Sequence, residues 1–206
     1  MSEALNDTLR SLHKHAKNAE TQGYQILIGS GAKQLIAAAL YALTEKHVSN
    51  TNESNVNVFT QKPFWPVFNS ICKLDQRMRF TTEFDPERDP KHLIEIVTTP
   101  NNPDNEQKRP KYNSSSVVYD MVYNWPSFHT MPQTPYQEDI MIFSLSKLAG
   151  YMNSRFGWAL VKDPKIASDM EEYIFLTGEG AGVETKFHAA RLLRAIVDSM
   201  EKGGGG

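Results

Sequence analysis

The sequence predicts an α/β domain of three layers, a mostly parallel sheet flanked on both faces by helices. Two observations carry that reading. Short β-rich apolar runs alternate along the chain with longer helical or loop segments. The chain's 206 residues, 40% of them hydrophobic and 22% charged, suffice for one core without cross-links. No internal repeat or Pro/Ser-rich linker interrupts it, so we assign one domain to residues 1–202 and set Gly203 to Gly206 aside as a linker-like tail.

The elements follow in order. Leu5, Leu9, Leu12 and Ala16 make a helical stripe within Leu5 to Ala19. Tyr24 to Ile28 reads as a strand ending in Gly29-Ser30-Gly31, and strong helix formers then run from Ala32 to Lys46. Asn55 to Thr60 reads as a strand, Val67 to Met78 as a helix, and His92 to Thr99, Ser116 to Val122, Ile140 to Leu145 and Gly157 to Val161 as strands. Helices over Pro164 to Thr177 and Glu184 to Glu201 close the chain, while Asn50 to Asn57 and Asn101 to Asn113 read as exposed loops.

Composition excludes several functions. A net charge of −2 supplies no field for nucleic acid or an anionic membrane. The single Cys72 permits no internal disulfide or multi-thiolate zinc site, reads as a buried apolar residue, and fits a reducing compartment. The first residues lack an apolar leader and no long apolar run follows, so we expect a cytoplasmic chain. His13 and His15 point apart on a helix and His47, His92, His129 and His188 are scattered, so no metal site is expected. No Gly-x-Ser-x-Gly turn occurs, and Lys108-Arg109-Pro110-Lys111 reads as a solvated loop.

In a parallel sheet, ligands sit beyond the carboxyl ends of the strands, and those positions are unusually polar here. Gly29-Ser30-Gly31-Ala32-Lys33-Gln34 completes neither nucleotide fingerprint; it is an ordinary tight turn or a seat for a single phosphate. Lys147, flanked by Ser144 and Ser146 and followed eight residues later by Arg155, suits a carbonyl cofactor held by its phosphate, since a desolvated lysine amine adds to carbonyls and arginine forks onto phosphate. Alone, the pair also fits a solvated lysine and a surface arginine. Asp120 and Tyr123 lie three apart at the end of an apolar strand, where a carboxylate needs a cationic or donor partner or serves as a turn cap. Asn102 is a turn former or a ligand contact.

Taken together, these segments resemble fold-type I pyridoxal phosphate (PLP) enzymes, and in particular the alliinase and tryptophan aminotransferase family. The likeness rests on Ser146-Lys147-Leu148, Ser154-Arg155-Phe156-Gly157-Trp158-Ala159-Leu160, Tyr119-Asp120-Met121-Val122-Tyr123 and Pro100-Asn101-Asn102-Pro103, collinear from about Leu5 to Ile196. The resemblance implies the large PLP-binding domain of such an enzyme. Lys147 would carry the cofactor covalently and shuttle the proton at the substrate α-carbon; Asp120 would pair with the pyridine nitrogen; Asn102 and Tyr123 would bond the ring's phenolic oxygen. Ser144, Arg155 and the turn Ser30, Gly31, Ala32 and Lys33 would take the phosphate. Trp65 would stack on the ring, with Phe64 as the alternative and core packing as another role for either.

The implied activity is transamination of L-amino acids with keto acids, with carbon–sulfur β-elimination second and a PLP-binding domain without turnover third. A homodimer is implied too. Transamination is preferred because the alliinase branch is usually secreted and carries a cysteine-rich module, neither of which is read here. Three departures stand out. Gly150-Tyr151-Met152-Asn153 replaces a Gly-His-containing loop, and Lys33 replaces a small hydroxyl residue, its side chain expected in solvent. Nothing matches the arginine that binds the substrate carboxylate in the family's smaller C-terminal domain; Arg191 and Arg194 are expected on an outer helix.

Overall fold

A seven-stranded sheet organises the chain. The computed structural model describes residues 2–51, 54–85, 93–112 and 116–203. The strands are β1 (Gln25–Gly29), β2 (Val56–Thr60), β3 (Met78–Thr81), β4 (Leu93–Thr98), β5 (Ser116–Asp120), β6 (Ile140–Ser144) and β7 (Gly157–Val161), in spatial order β1-β7-β6-β5-β4-β2-β3. All pairs from β6 to β3 are parallel, whereas β7 runs antiparallel to both β1 and β6. The sheet is thus mostly parallel, as expected.

Strand alternation distributes the core between two layers. Ile140, Ile142, Ala159 and Val161 face α2 (Ala32–Asn50), α3 (Val67–Cys72) and α5 (Pro164–Leu176). Met141, Phe143, Trp158 and Leu160 face α1 (Ser2–Ala16) and α6 (Val183–Gly203). Both faces of the central strands are covered, so these strands read as unbroken apolar runs, as in IMIF of β6. Asp163 caps α5 by accepting the Lys165 and Ile166 amides, with Pro164 in the first turn, where its missing N–H costs nothing.

Three differences from the sequence reading have physical causes. The helix expected over Val67 to Met78 stops at Cys72, because Asp75 accepts the Arg77 amide in a turn and Met78–Thr81 then pairs in parallel with Val56–Phe59. The strand expected to end at Leu145 ends at Ser144, whose Oγ accepts the Ser146 amide and starts a one-turn helix, α4 (Leu145–Leu148). Lys108 is buried rather than solvated. The last helix reaches Gly203, and residues 204–206 of the proposed tail lie outside the described residues, as do His92 and Asn113.

On the α1 face, His13 is fully buried against Trp125, Phe143 and Trp158 while His15 is not. Trp158 Nε1–H donates to His13 Nε2 at 2.8 Å, which leaves Nδ1–H to donate to Asn18 Oδ1 at 2.8 Å and fixes a neutral ring. Burial lowers the His13 pKa from 6.5 to about 4. The unfolded chain therefore takes up this proton first. Stability from His13 is complete above pH 6.5 and lost as pH falls toward 4, by up to about 3 kcal/mol. Denaturant unfolding at pH 7.5 and 4.5 should show a smaller acid loss in His13→Gln than in the parent chain.

Candidate active site

The register of the sheet assembles the site. Gly29 pairs with Gly157 across β1–β7 and Gly157 with Ser144 across β6–β7, while Asp120 ends β5 opposite Thr98 of β4. These strand ends open onto a cleft of about 570 Å³. Nine of the eleven expected residues line it: Ala32, Lys33, Trp65, Asn102, Asp120, Tyr123, Ser144, Lys147 and Arg155. Ser30 and Gly31 sit beside it, joined through Arg155.

Asp120 is the central group. It is 4% exposed and lies at the cleft wall. Burial pushes its pKa up from 3.8 to about 7; the Val122 amide, at 3.4 Å from Oδ1, and the positive charge of Lys147 offset this only in part. Lys147, placed by α4, stands with Nζ 5.1 Å from the centre of the Tyr123 ring. The Tyr123 hydroxyl accepts from Asn102 Nδ2 at 2.8 Å, so a donor and a phenol meet at one point of the wall. Trp65 is 40% exposed and borders the cleft beside the more buried Phe64.

At the other end, Gly31 has a φ of 79°, open to glycine at little cost, and precedes the first turn of α2, which has no side-chain cap and no acidic residue. A Cβ at Gly31 would collide with Arg155 Nη2, and one at Gly157 would stand 2.9 Å from the Gly31 carbonyl carbon. Small residues thus let the guanidinium reach the turn, where Nη2 donates to the Ser30 carbonyl at 3.3 Å. Uncapped amides and an arginine at one spot could hold a phosphate group.

The cleft also contains what the sequence reading left without a role. Thr98 Oγ1 and Ser146 Oγ are buried polar atoms in its lining without a hydrogen-bond partner among the described residues. Ser146 is visible in the sequence as the hydroxyl beside Lys147. Thr98 is not, because only the strand register sets it next to Asp120. The Lys33 side chain is exposed but borders the cleft. Arg191, with its guanidinium 5.9 Å from the Phe187 ring centre, and Arg194 are on α6 and do not line it. Among the described residues no cluster of metal-ligating side chains occurs, and no helix is long and apolar enough to cross a membrane.

A buried carboxyl, a phenol–amide pair, an amine, and uncapped amides beside an arginine, all at one cleft, fit a flat cationic heterocycle that carries a carbonyl and a phosphate. Comparison with known proteins places the chain among relatives. The chain is 34% identical over 208 residues to tryptophan aminotransferase-related protein 4 of Arabidopsis thaliana, covering 96% of this chain and 44% of that protein. It is 31% identical over 198 residues to alliin lyase 2 of Allium sativum, covering 94% and 42%. It thus spans less than half the length of these relatives. Among solved structures, Escherichia coli YbdL, identified as having a methionine aminotransferase function, superposes with a TM-score of 0.69 at 14% identity, over 93% of this chain and 56% of that one. Cystalysin from Treponema denticola, which contains PLP, does so with a TM-score of 0.67 at 13% identity, over 97% and 57%. The family model described as allinase matches residues 1–206, and the chain belongs to that family.

Proposed function

We propose that the cleft binds PLP and that the chain forms the cofactor-binding part of an aminotransferase acting on L-amino acids. One observation supports this most strongly: Asp120, buried with its pKa raised to about 7, faces a cleft that also holds Lys147. A bare carboxylate there is costly, whereas a pyridinium nitrogen is the cationic donor that offsets the cost. Bound PLP supplies an electron sink for carbanion character at the α-carbon of an amino acid.

The chain's own residues do the rest. Asp120 keeps its negative charge toward the ring nitrogen. The Asn102 amide and Tyr123 hydroxyl hold the phenolic oxygen. Arg155, Ser144 and the turn from Ser30 to Lys33 anchor the phosphate, and Trp65 covers a face of the ring. With the cofactor bound, Lys147 Nζ would hold it covalently, and as a free amine it would carry a proton to and from the α-carbon of the substrate. The homodimer that the family resemblance implies is part of this proposal.

The similarity to the tryptophan aminotransferase-related protein supports transamination, and the similarity to alliin lyase keeps β-elimination as the second reading. Product analysis with PLP separates them. We expect amino-group transfer from an L-amino acid, tryptophan among those tested, to a 2-oxo acid. Pyruvate and ammonia released from an S-alkyl-cysteine sulfoxide without transfer would assign the lyase, and bound PLP with neither product would assign a binding module.

A further inference from the structure

The wall that carries Trp65 is held by a buried cation outside the expected site. Lys108 is 6% exposed although it belongs to a loop. Its Nζ donates to the main-chain carbonyls of Pro63 at 2.8 Å and Gln61 at 3.3 Å. Asn101 Nδ2 donates to the same Pro63 carbonyl at 3.1 Å and to Asp104 Oδ1 at 2.9 Å. The far end of the loop is tied down as well, since the buried Glu95 accepts the amides of Lys111 and Tyr112. Gln61 Nε2 adds a bond to the Arg109 carbonyl at 2.7 Å. Two donors therefore converge on the carbonyl that lies two residues before Trp65, and one of them is next to Asn102 in sequence.

Burying a lysine ammonium is costly, and Asp104 and Glu106 favour its charge only from a distance. A loop with no other task does not need that cation. We propose that Lys108 is a positioning residue: with Asn101 it clamps the Pro63 carbonyl and so fixes Trp65 against the cleft, coupling the ring-covering wall to the Asn102 segment. The role assigned to Trp65 rests on the PLP reading above; the clamp itself does not.

Tryptophan emission tests the two separately. Of the three tryptophans, Trp125 and Trp158 are fully buried and Trp65 is 40% exposed, so acrylamide quenching of the cofactor-free protein reports chiefly on Trp65. Lys108→Met, which keeps the apolar stem, should raise quenching and weaken PLP binding about threefold to tenfold, the range of a lost aromatic contact. Lys108→Arg should restore most of both. Adding Trp65→Ala to Lys108→Met should weaken PLP binding no further, as expected for two residues acting through one contact. If Lys108→Met does not fold, Asn101→Ala, which removes the second donor, should raise quenching in the same direction. Unchanged quenching would overturn the clamp, and PLP losses that add in the double variant would overturn its coupling to the cofactor through Trp65. If the parent chain binds no PLP, the cofactor reading fails by itself, and quenching still decides the clamp.

Discussion

Asp120→Asn should make the cofactor-free protein more stable at pH 8 and its PLP complex weaker. The sign follows from linkage. The folded carboxyl takes up its proton at about 7 and the unfolded one near 3.8, so the folded state binds more protons between these values. Stability contributed by this group is greatest below pH 3.8, declines as pH rises, and levels off above about 7, for a total of up to about 4 kcal/mol. Asparagine has no charge to bury. The variant should match the parent near pH 4 and exceed it at pH 8, a trend opposite in sign to that of His13. With PLP present the order should reverse, because only the carboxylate pairs with a ring cation. Denaturant unfolding at both pH values, with and without PLP, reads all four quantities. A variant no more stable than the parent at pH 8 without cofactor would remove the argument that Asp120 is held ready for a cationic partner.

The second large effect belongs to Lys147. Lys147→Ala removes the amine beside Asp120 and Tyr123, and with it both covalent capture and the proton carrier. Amino-group transfer should fall by at least about 10³-fold, in keeping with loss of a general acid–base group compounded by loss of covalent attachment. PLP should still bind non-covalently, because Asp120, Asn102, Tyr123 and the phosphate seat are unchanged. Equilibrium dialysis beside single-turnover transfer separates the two losses. Transfer within tenfold of the parent would place the amine elsewhere, and Lys33 is the other lysine bordering the cleft among the described residues.

Much of this site was legible in the sequence because its residues follow strand ends, where polarity after an apolar run is a local signal. Asp120, Ser144 and Asn102 stand out that way, and the eight-residue interval from Lys147 to Arg155 survives the intervening turn. What depends on partners distant in sequence was not legible. Thr98 gains its place beside Asp120 only through the β4–β5 register, and Lys108 sits in a basic run whose neighbours are solvent-facing, so nothing local distinguishes it. The helix read through Met78 overran into β3 because Met78 extends the apolar helical spacing, and its pairing with Val56 is a tertiary effect. The short α4 was missed for a related reason: Ser144 serves both as the last residue of a strand and as a helix cap.

The central claim is that this cleft holds PLP on Lys147. The most direct measurement is borohydride reduction of the protein incubated with PLP, followed by peptide mapping of the pyridoxyl group. The account predicts one stoichiometric adduct on Lys147, absent from Lys147→Ala and reduced in Asp120→Asn. Adducts spread over surface lysines, or a principal adduct on Lys33 or Lys162 with Lys147 unmodified, would contradict it.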